Sequence, residues 1–187
     1  MKKPAFRNMQ LEAAMTARAA IRVARRYDAP AAQVFAAWLD PALARHWLFA
    51  TASRPMRDGE IEPHVGGRYR FVEERGGRIV EHRGEYAAIV AARRLAFTLA
   101  SPDVPEAVTH VRVDFAPVAA GCVVTLSHTG LPACRARQAR ARWTGILYGL
   151  GATLGVRHDA ARAAQPLFAP RIPTERCHAI PADVLFR

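Results

Sequence analysis

Between residues 60 and 129 the chain is almost entirely strand-like, and it then offers one long amphipathic helix, residues 134–154, to cover what those strands build. That imbalance constrains the fold more than any single motif. A sheet of this size has a face that must be buried, and no other element is long enough to bury it. The stretch Arg68–Glu74 alternates Tyr69 and Phe71 against Arg68 and Arg70, and Val108–Phe115 alternates Thr109, Val111, Val113 and Phe115 against His110, Arg112 and Asp114. Gly76-Gly77 has the form of a two-residue hairpin turn between Arg68–Glu74 and a long strand Arg78–Val90. Further strands are expected at 60–65, 94–100 and 122–129. In the last helix Ala139, Trp143, Ile146, Leu147, Leu150 and Leu154 recur at three- and four-residue steps, so one face is apolar.

Ahead of this block lie a strand-like stretch, residues 21–27, and two short helices. Asp28-Ala29-Pro30 and Asp40-Pro41 each carry a helix start signal, with Asp28 expected to accept from free backbone N–H groups. Val34, Phe35 and Trp38 form the apolar face of the first helix, and Leu43, Trp47 and Leu48 continue into the second. The expected architecture is α+β: a curved antiparallel sheet of about six or seven strands wrapped around a long C-terminal helix, with two short helices after the first strand. Residues 1–19 read as an N-terminal extension, 20–154 as the domain and 155–187 as a C-terminal tail.

Charge and cysteine usage bound the function classes. The net charge is +11, but residues 1–26 and 134–187 carry +6 each while 27–133 carry −1. The basic excess thus sits at the ends, and the four arginines between Arg135 and Arg142 spread over more than one side of their helix. No nucleic-acid-binding motif accompanies them, so specific nucleic-acid recognition is not expected. No apolar run reaches the ~18 residues of a membrane span. Cys122, Cys134 and Cys177 are sparse and show no CxxC spacing, which suggests free thiols and a cytoplasmic protein. His64, His82, His110 and His128 fall on different strands without metal-ligand spacing, so neither a metal nor another cofactor is expected.

The stretch "RRYDAPAAQVFAAWLDPALARHWL" (25–48), with "VGGRYRF" (65–71), "RRLAFTLA" (93–100), "VRVDFAPVAAGCVVTLSHTGLP" (111–132) and Trp143, resembles a known family in order and spacing. The chain resembles the SRPBCC superfamily, the START-like or pollen-allergen-like helix-grip fold. Within it, the chain is similar to the group named for the activator of Hsp-90 ATPase homologue. The resemblance covers roughly residues 20–154. It implies the binding of hydrophobic small molecules such as lipids, steroids or polyketides; some members of the superfamily are cyclases or other enzymes.

A bent sheet and a straight helix cannot meet everywhere, so side chains or a ligand must fill the gap. The expected lining of a pocket between them is Trp38, Trp47, Tyr69, Phe71, Tyr86, Phe97, Val113, Phe115, Leu126, His128, Trp143, Ile146, Leu147 and Leu150. Strand parity places His128 on the same face as Leu126, where an imidazole either orients a ligand or bonds to a core neighbour. Gly145, Gly149, Gly151 and Gly155 in the last helix signal either close approach or open space. Acid–base chemistry would use Glu73, Glu85 or Asp114 with His128 or Tyr86, and Cys134 near the helix start is the one thiol placed to be activated. The reading is a binder of a small hydrophobic or amphipathic ligand, with no catalytic residue assigned. A cyclase- or hydrolase-like enzyme using the same pocket and a co-chaperone-type interaction module are the alternatives. Homodimer formation stays open.

Overall fold

The computed structural model describes residues 18–50, 56–101 and 104–160. Eight strands form one antiparallel sheet: β1 (Arg18–Tyr27), β2 (Met56–Ile61), β3 (Arg68–Arg75), β4 (Arg78–Val90), β5 (Arg94–Ser101), β6 (Val104–Val118), β7 (Gly121–Pro132) and β8 (His158–Ala160). Three helices accompany them: α1 (Ala31–Leu39), α2 (Pro41–Trp47) and α3 (Ala136–Leu154), the last entered through a single 3-10 turn, Ala133–Arg135. The strand order is β2-β3-β4-β5-β6-β7-β1-β8. The sheet is curved and unclosed, and α3 lies against its inner face: the helix-grip α+β architecture. None of the helices among the described residues is long and apolar enough to cross a membrane.

Local chemistry explains most of the boundaries. Gly76 and Gly77 both take positive φ, 58° and 76°, which a two-residue hairpin turn of this type demands and which costs other residues dearly. Asp40 caps α2, its Oδ1 accepting from Ala42 N (2.8 Å) and Leu43 N (3.3 Å), with Pro41 in the first turn. Asp28 does not do the same for α1. The cap position there is Pro30, with no side-chain bond, and Asp28 lies too far outside the helix; its carboxylate faces Arg26 and Arg157 instead.

The strand expected at 60–65 is displaced to Met56–Ile61. Residues beyond Ile61 leave the ladder because Glu62 accepts from Arg68 N through its side chain (2.9 Å), and Gly66 N turns to Tyr86 O (2.8 Å). The stretch 155–187, read as a tail, opens with β8, which adds to the free side of β1 through Tyr27 and His158; residues 161–187 and 1–17 lie outside the described residues.

The inner face of the sheet and the apolar side of α3 form the core. Tyr69, Phe71, Tyr86, Leu95, Phe97, Val111, Val113, Phe115, Val124 and Leu126 project from the strands, and Trp143, Ile146, Leu147 and Leu150 from the helix. Tyr27 pins the two layers together, donating from its hydroxyl to Leu147 O (2.7 Å). Trp38 and Trp47 meet edge to face at 4.8 Å, and Trp38 continues to Phe115 at 6.2 Å, so α1 and α2 fill one end of the grip with aromatic rings.

The expectation of three free thiols is corrected at one position. Cys122 is a free, buried thiol, whereas Cys134 is disulfide-bonded. Cys134 is therefore no nucleophile, and one support for a reducing compartment falls away.

Candidate functional site

The gap between sheet and helix is largely filled by the protein itself. What remains is a cavity of about 70 Å³ beside the first half of α3. Its wall is part apolar, with Phe49, Leu99, Leu131, Trp143 and Ile146, and part polar, with His82, Thr109, His128 and Arg142. Of the fourteen residues expected to line a pocket, His128, Trp143 and Ile146 reach this cavity. Trp38, Trp47, Tyr69, Phe71, Tyr86, Phe97, Val113, Phe115, Leu126, Leu147 and Leu150 are buried in the core around it. A strongly twisted sheet brings so many large side chains onto its concave side that they close most of the space geometry left open.

Three polar groups decide the chemistry of this cavity. Parity brings His128 inward, as expected. There it is held in a fixed chain of hydrogen bonds between Trp143 and Thr109, and Thr109 Oγ1 donates onward to Leu99 O (2.9 Å). Burial, with a smaller effect of His110, pushes the His128 pKa down to about 4. It is a neutral, satisfied core histidine.

His82 is different, a residue that the sequence pattern marks only by its histidine type. It projects from β4, diagonal to Glu73 on β3, where Phe71 pairs with His82 and Glu73 with Val80. Its Nε2 lies 3.1 Å from Glu73 Oε1 and 3.1 Å from Arg142 Nη2. One nitrogen cannot serve both at once: without a proton it accepts from the Arg142 guanidinium, and with one it donates to Glu73. Burial raises the Glu73 pKa, but hydrogen bonds from His82 and Arg75 and their charges outweigh it and hold the carboxyl below the usual range. Glu73 is thus an ionised carboxylate with 1% of its surface exposed, sitting behind the imidazole that faces the cavity.

The other carboxylates considered for acid–base work point away. Glu85 is exposed, and Asp114 lies on the outer face between Arg94 and Arg112, each at 2.7 Å. That outer face carries a wider, open groove of about 450 Å³ bordered by Arg22, His110, Arg112, Asp114 and Ser127. Its side chains are those expected of the solvent-facing side of strands β1, β6 and β7. The arginines at the start of α3 and in the turn before it disperse as their spacing implied. Arg140 donates to Arg22 O (2.8 Å), Arg135 to Gln138 (3.2 Å), and Arg142 turns inward. Among the described residues no group of histidines, cysteines and carboxylates is clustered to hold a metal ion.

The glycines of α3 divide. Gly149 packs against Trp47 and Gly151 against the ring of His158, while nothing lies near Gly145. Close approach explains two of these three, and Gly155 lies just past the helix as its left-handed cap, φ 64°.

One further residue in the cavity wall had no signal in the pattern. Phe49 follows α2 with φ 64°, a left-handed conformation that costs a bulky residue about 1–3 kcal/mol.

Residues 28–155 match the family of activator of Hsp90 ATPase homolog 1-like proteins, more than half of the chain. The chain belongs to that family. Solved structures agree on the fold. Protein CV1439 of Chromobacterium violaceum superposes with a TM-score of 0.63 at 23% identity, covering 71% of this chain and 94% of that one. A protein of Rhodobacter sphaeroides gives 0.60 at 27% identity, covering 74% and 92%. An AHSA1-like protein of Aeromonas hydrophila gives 0.61 at 21% identity, again covering 74% and 92%. No curated protein matches the chain. Membership of the activator of Hsp90 ATPase homolog 1-like family places the chain among domains of the ligand-binding or co-chaperone type. Within the family frame the cavity occupies the grip itself, between the inner sheet face and the helix that closes it.

Proposed function

We propose that this domain binds a small amphipathic molecule between the sheet and α3, entering beside the first half of the helix. The observation that carries the reading is the composition of one cavity wall: Leu99, Leu131 and Ile146 offer apolar contact, while Arg142 and His82 offer polar anchors backed by Glu73. Sites of this kind are mostly apolar with a few convergent polar groups. Of the residues expected from sequence, His128, Trp143 and Ile146 are those we assign to ligand contact. The remaining aromatic residues shape the cavity from behind.

The test is native mass spectrometry of the freshly purified chain, then thermal shifts against fatty acids, steroids and aromatic polyketides. The same native spectrum reads whether the chain pairs with itself. Ala139 borders the cavity from α3, so Ala139→Trp fills it. The expected result is stabilisation by at least one compound class, lost in that variant. Absence of any co-purified molecule and of any shift in the wild type overturns the reading.

A second reading, a cyclase- or hydrolase-like enzyme, is favoured by the His82–Glu73 contact of 3.1 Å. It requires that a bound compound be turned over, and that His82→Gln abolish turnover while binding persists.

A further inference from the structure

A cavity of about 70 Å³ is small for the ligands this architecture invites, and Phe49 is one of the side chains that close it. Phe49 is 3% exposed, and its ring fills the space next to the cavity. The surroundings of that ring are specific. It stacks on the imidazole of His82, centroids 4.5 Å apart and planes inclined by 21°. The Arg142 guanidinium carbon lies over it at 5.9 Å. Phe71 approaches edge-on at 6.1 Å and Trp143 lies tilted to it at 5.8 Å. A flat partner, a cation over the ring and two tilted aromatic neighbours are what a binding site supplies to an aromatic ring.

The backbone gives the second half of the argument. Phe49 and Ala92 are the two non-glycine residues with positive φ among those described, and Ala92 sits in a turn between strands. The docked ring thus sits on a left-handed backbone conformation that glycine alone takes freely and that strains Phe49. Undocking the ring releases that constraint, which offsets part of the packing it gives up.

We infer that Phe49 is a resident plug in an aromatic-ring site, and that the molecule bound in the grip is a planar aromatic whose ring takes the place of Phe49 between His82, Arg142 and Trp143. The inference rests on the binding reading above and adds the class of ligand to it. Aliphatic molecules of equal size gain neither the imidazole stack nor the guanidinium contact.

Indole is the probe and octanol its aliphatic counterpart, both titrated into the full chain. Indole should bind the wild type, and NMR contacts between the Phe49 and Trp143 rings should disappear as it does. Phe49→Gly removes the plug and accepts the positive φ, so its apparent affinity for indole should rise by at least roughly tenfold, because the competent state no longer has to be populated first. Failure of indole to bind the wild type, binding with the Phe49–Trp143 contacts intact, equal affinity in Phe49→Gly, or octanol binding as tightly as indole each overturns the plug. The wild-type contacts are decisive even where the glycine variant does not fold. If a panel compound binds and Ala139→Trp abolishes it while Phe49→Gly changes nothing, the plug falls and the cavity stands; if nothing binds the wild type, both fall.

Discussion

The indole N–H of Trp143 donates to Nδ1 of His128 over 2.9 Å, and that bond settles the protonation of the histidine. An indole nitrogen can only donate, so Nδ1 carries the lone pair and Nε2 the proton. Nε2 then donates to Thr109 Oγ1 over 2.7 Å. Protonating Nδ1 would set two donors against each other inside the core. Trp143→Phe keeps an aromatic ring but removes the donor and part of the indole volume, leaving a buried acceptor unsatisfied. It should cost about 1–3 kcal/mol in urea unfolding. Trp143→Ala should cost roughly 3–5 kcal/mol, because it also empties the space under the sheet.

The same bond predicts an acid dependence. In the unfolded chain His128 titrates near ~6.5, whereas in the fold its pKa is pushed down to about 4. A base held neutral by the native state contributes full stability above the unfolded value. That contribution declines as pH falls through the window between the two and is gone below the folded value. The loss should approach roughly 3 kcal/mol. His128→Gln, which can still accept from Trp143 and donate to Thr109, should flatten the stability profile in that window. An unchanged slope would place the titrating group elsewhere.

Glu73 should show a loss of the same sign at lower pH. Its folded pKa is held below the usual range, so its contribution is present above ~4.3 and disappears as pH drops through the folded value. Glu73→Gln removes the partner of Arg75 and His82 at a site almost closed to water. It should cost about 3 kcal/mol at neutral pH, in the range for breaking a buried pair from one side. Equilibrium unfolding at neutral and acidic pH checks both statements; a neutral-pH cost below about 1 kcal/mol would mean that the cluster is solvated in solution.

The sequence carried much of this fold because its signals are local and redundant. Alternation in Arg68–Glu74 and Val108–Phe115, the Gly76-Gly77 turn and the apolar stripe from Trp143 to Leu150 each specify an element, and together they leave the grip as the way to bury both faces. The inward turn of His128 was legible for the same reason, since strand parity is strict. The candidate site was less legible. The Gly76-Gly77 hairpin fixes the register that sets His82 diagonal to Glu73, but alternation along each strand names neither as the partner of the other. Phe49 is placed by a backbone conformation that its residue type disfavours. The size of the cavity depends on how large side chains from many strands share one concave face, and parity names the candidates without saying how tightly they close. β8 went unseen because three residues carry no periodicity.

Two glycines on α3 separate close approach from open space. A Cβ on Gly145 meets nothing, so Gly145→Ala should stabilise the chain by about 1 kcal/mol through helix propensity alone. A Cβ on Gly151 would run into the His158 ring. Gly151→Ala should therefore detach β8 from β1, read as faster amide exchange at residues 158–160, whatever its effect on the helix. Slow exchange there in both variants would show that β8 is held by its ladder and not by the histidine.

His158 fixes that strand through a bond of defined polarity. Arg25 Nη1 lies 2.9 Å from His158 Nδ1, and arginine keeps its proton throughout the usable pH range, so Nδ1 must accept. Tyr148 stands edge-on to the imidazole at 4.8 Å and carries the Arg25 guanidinium over its own ring at 5.5 Å, which holds all three groups in one cluster. Burial first, and the Arg25 charge second, lower the His158 pKa, against a weaker pull upward from Asp159. A proton on Nδ1 would oppose the guanidinium directly. The strand should stay docked above the unfolded histidine pKa and loosen as pH falls below it. His158→Asn supplies an acceptor near the position of Nδ1 that cannot be protonated in this range, so its β8 amides should remain protected at a pH where those of the wild type exchange. Equal exchange in the two proteins across the acid range would mean that Arg25 and His158 do not govern the docking of β8.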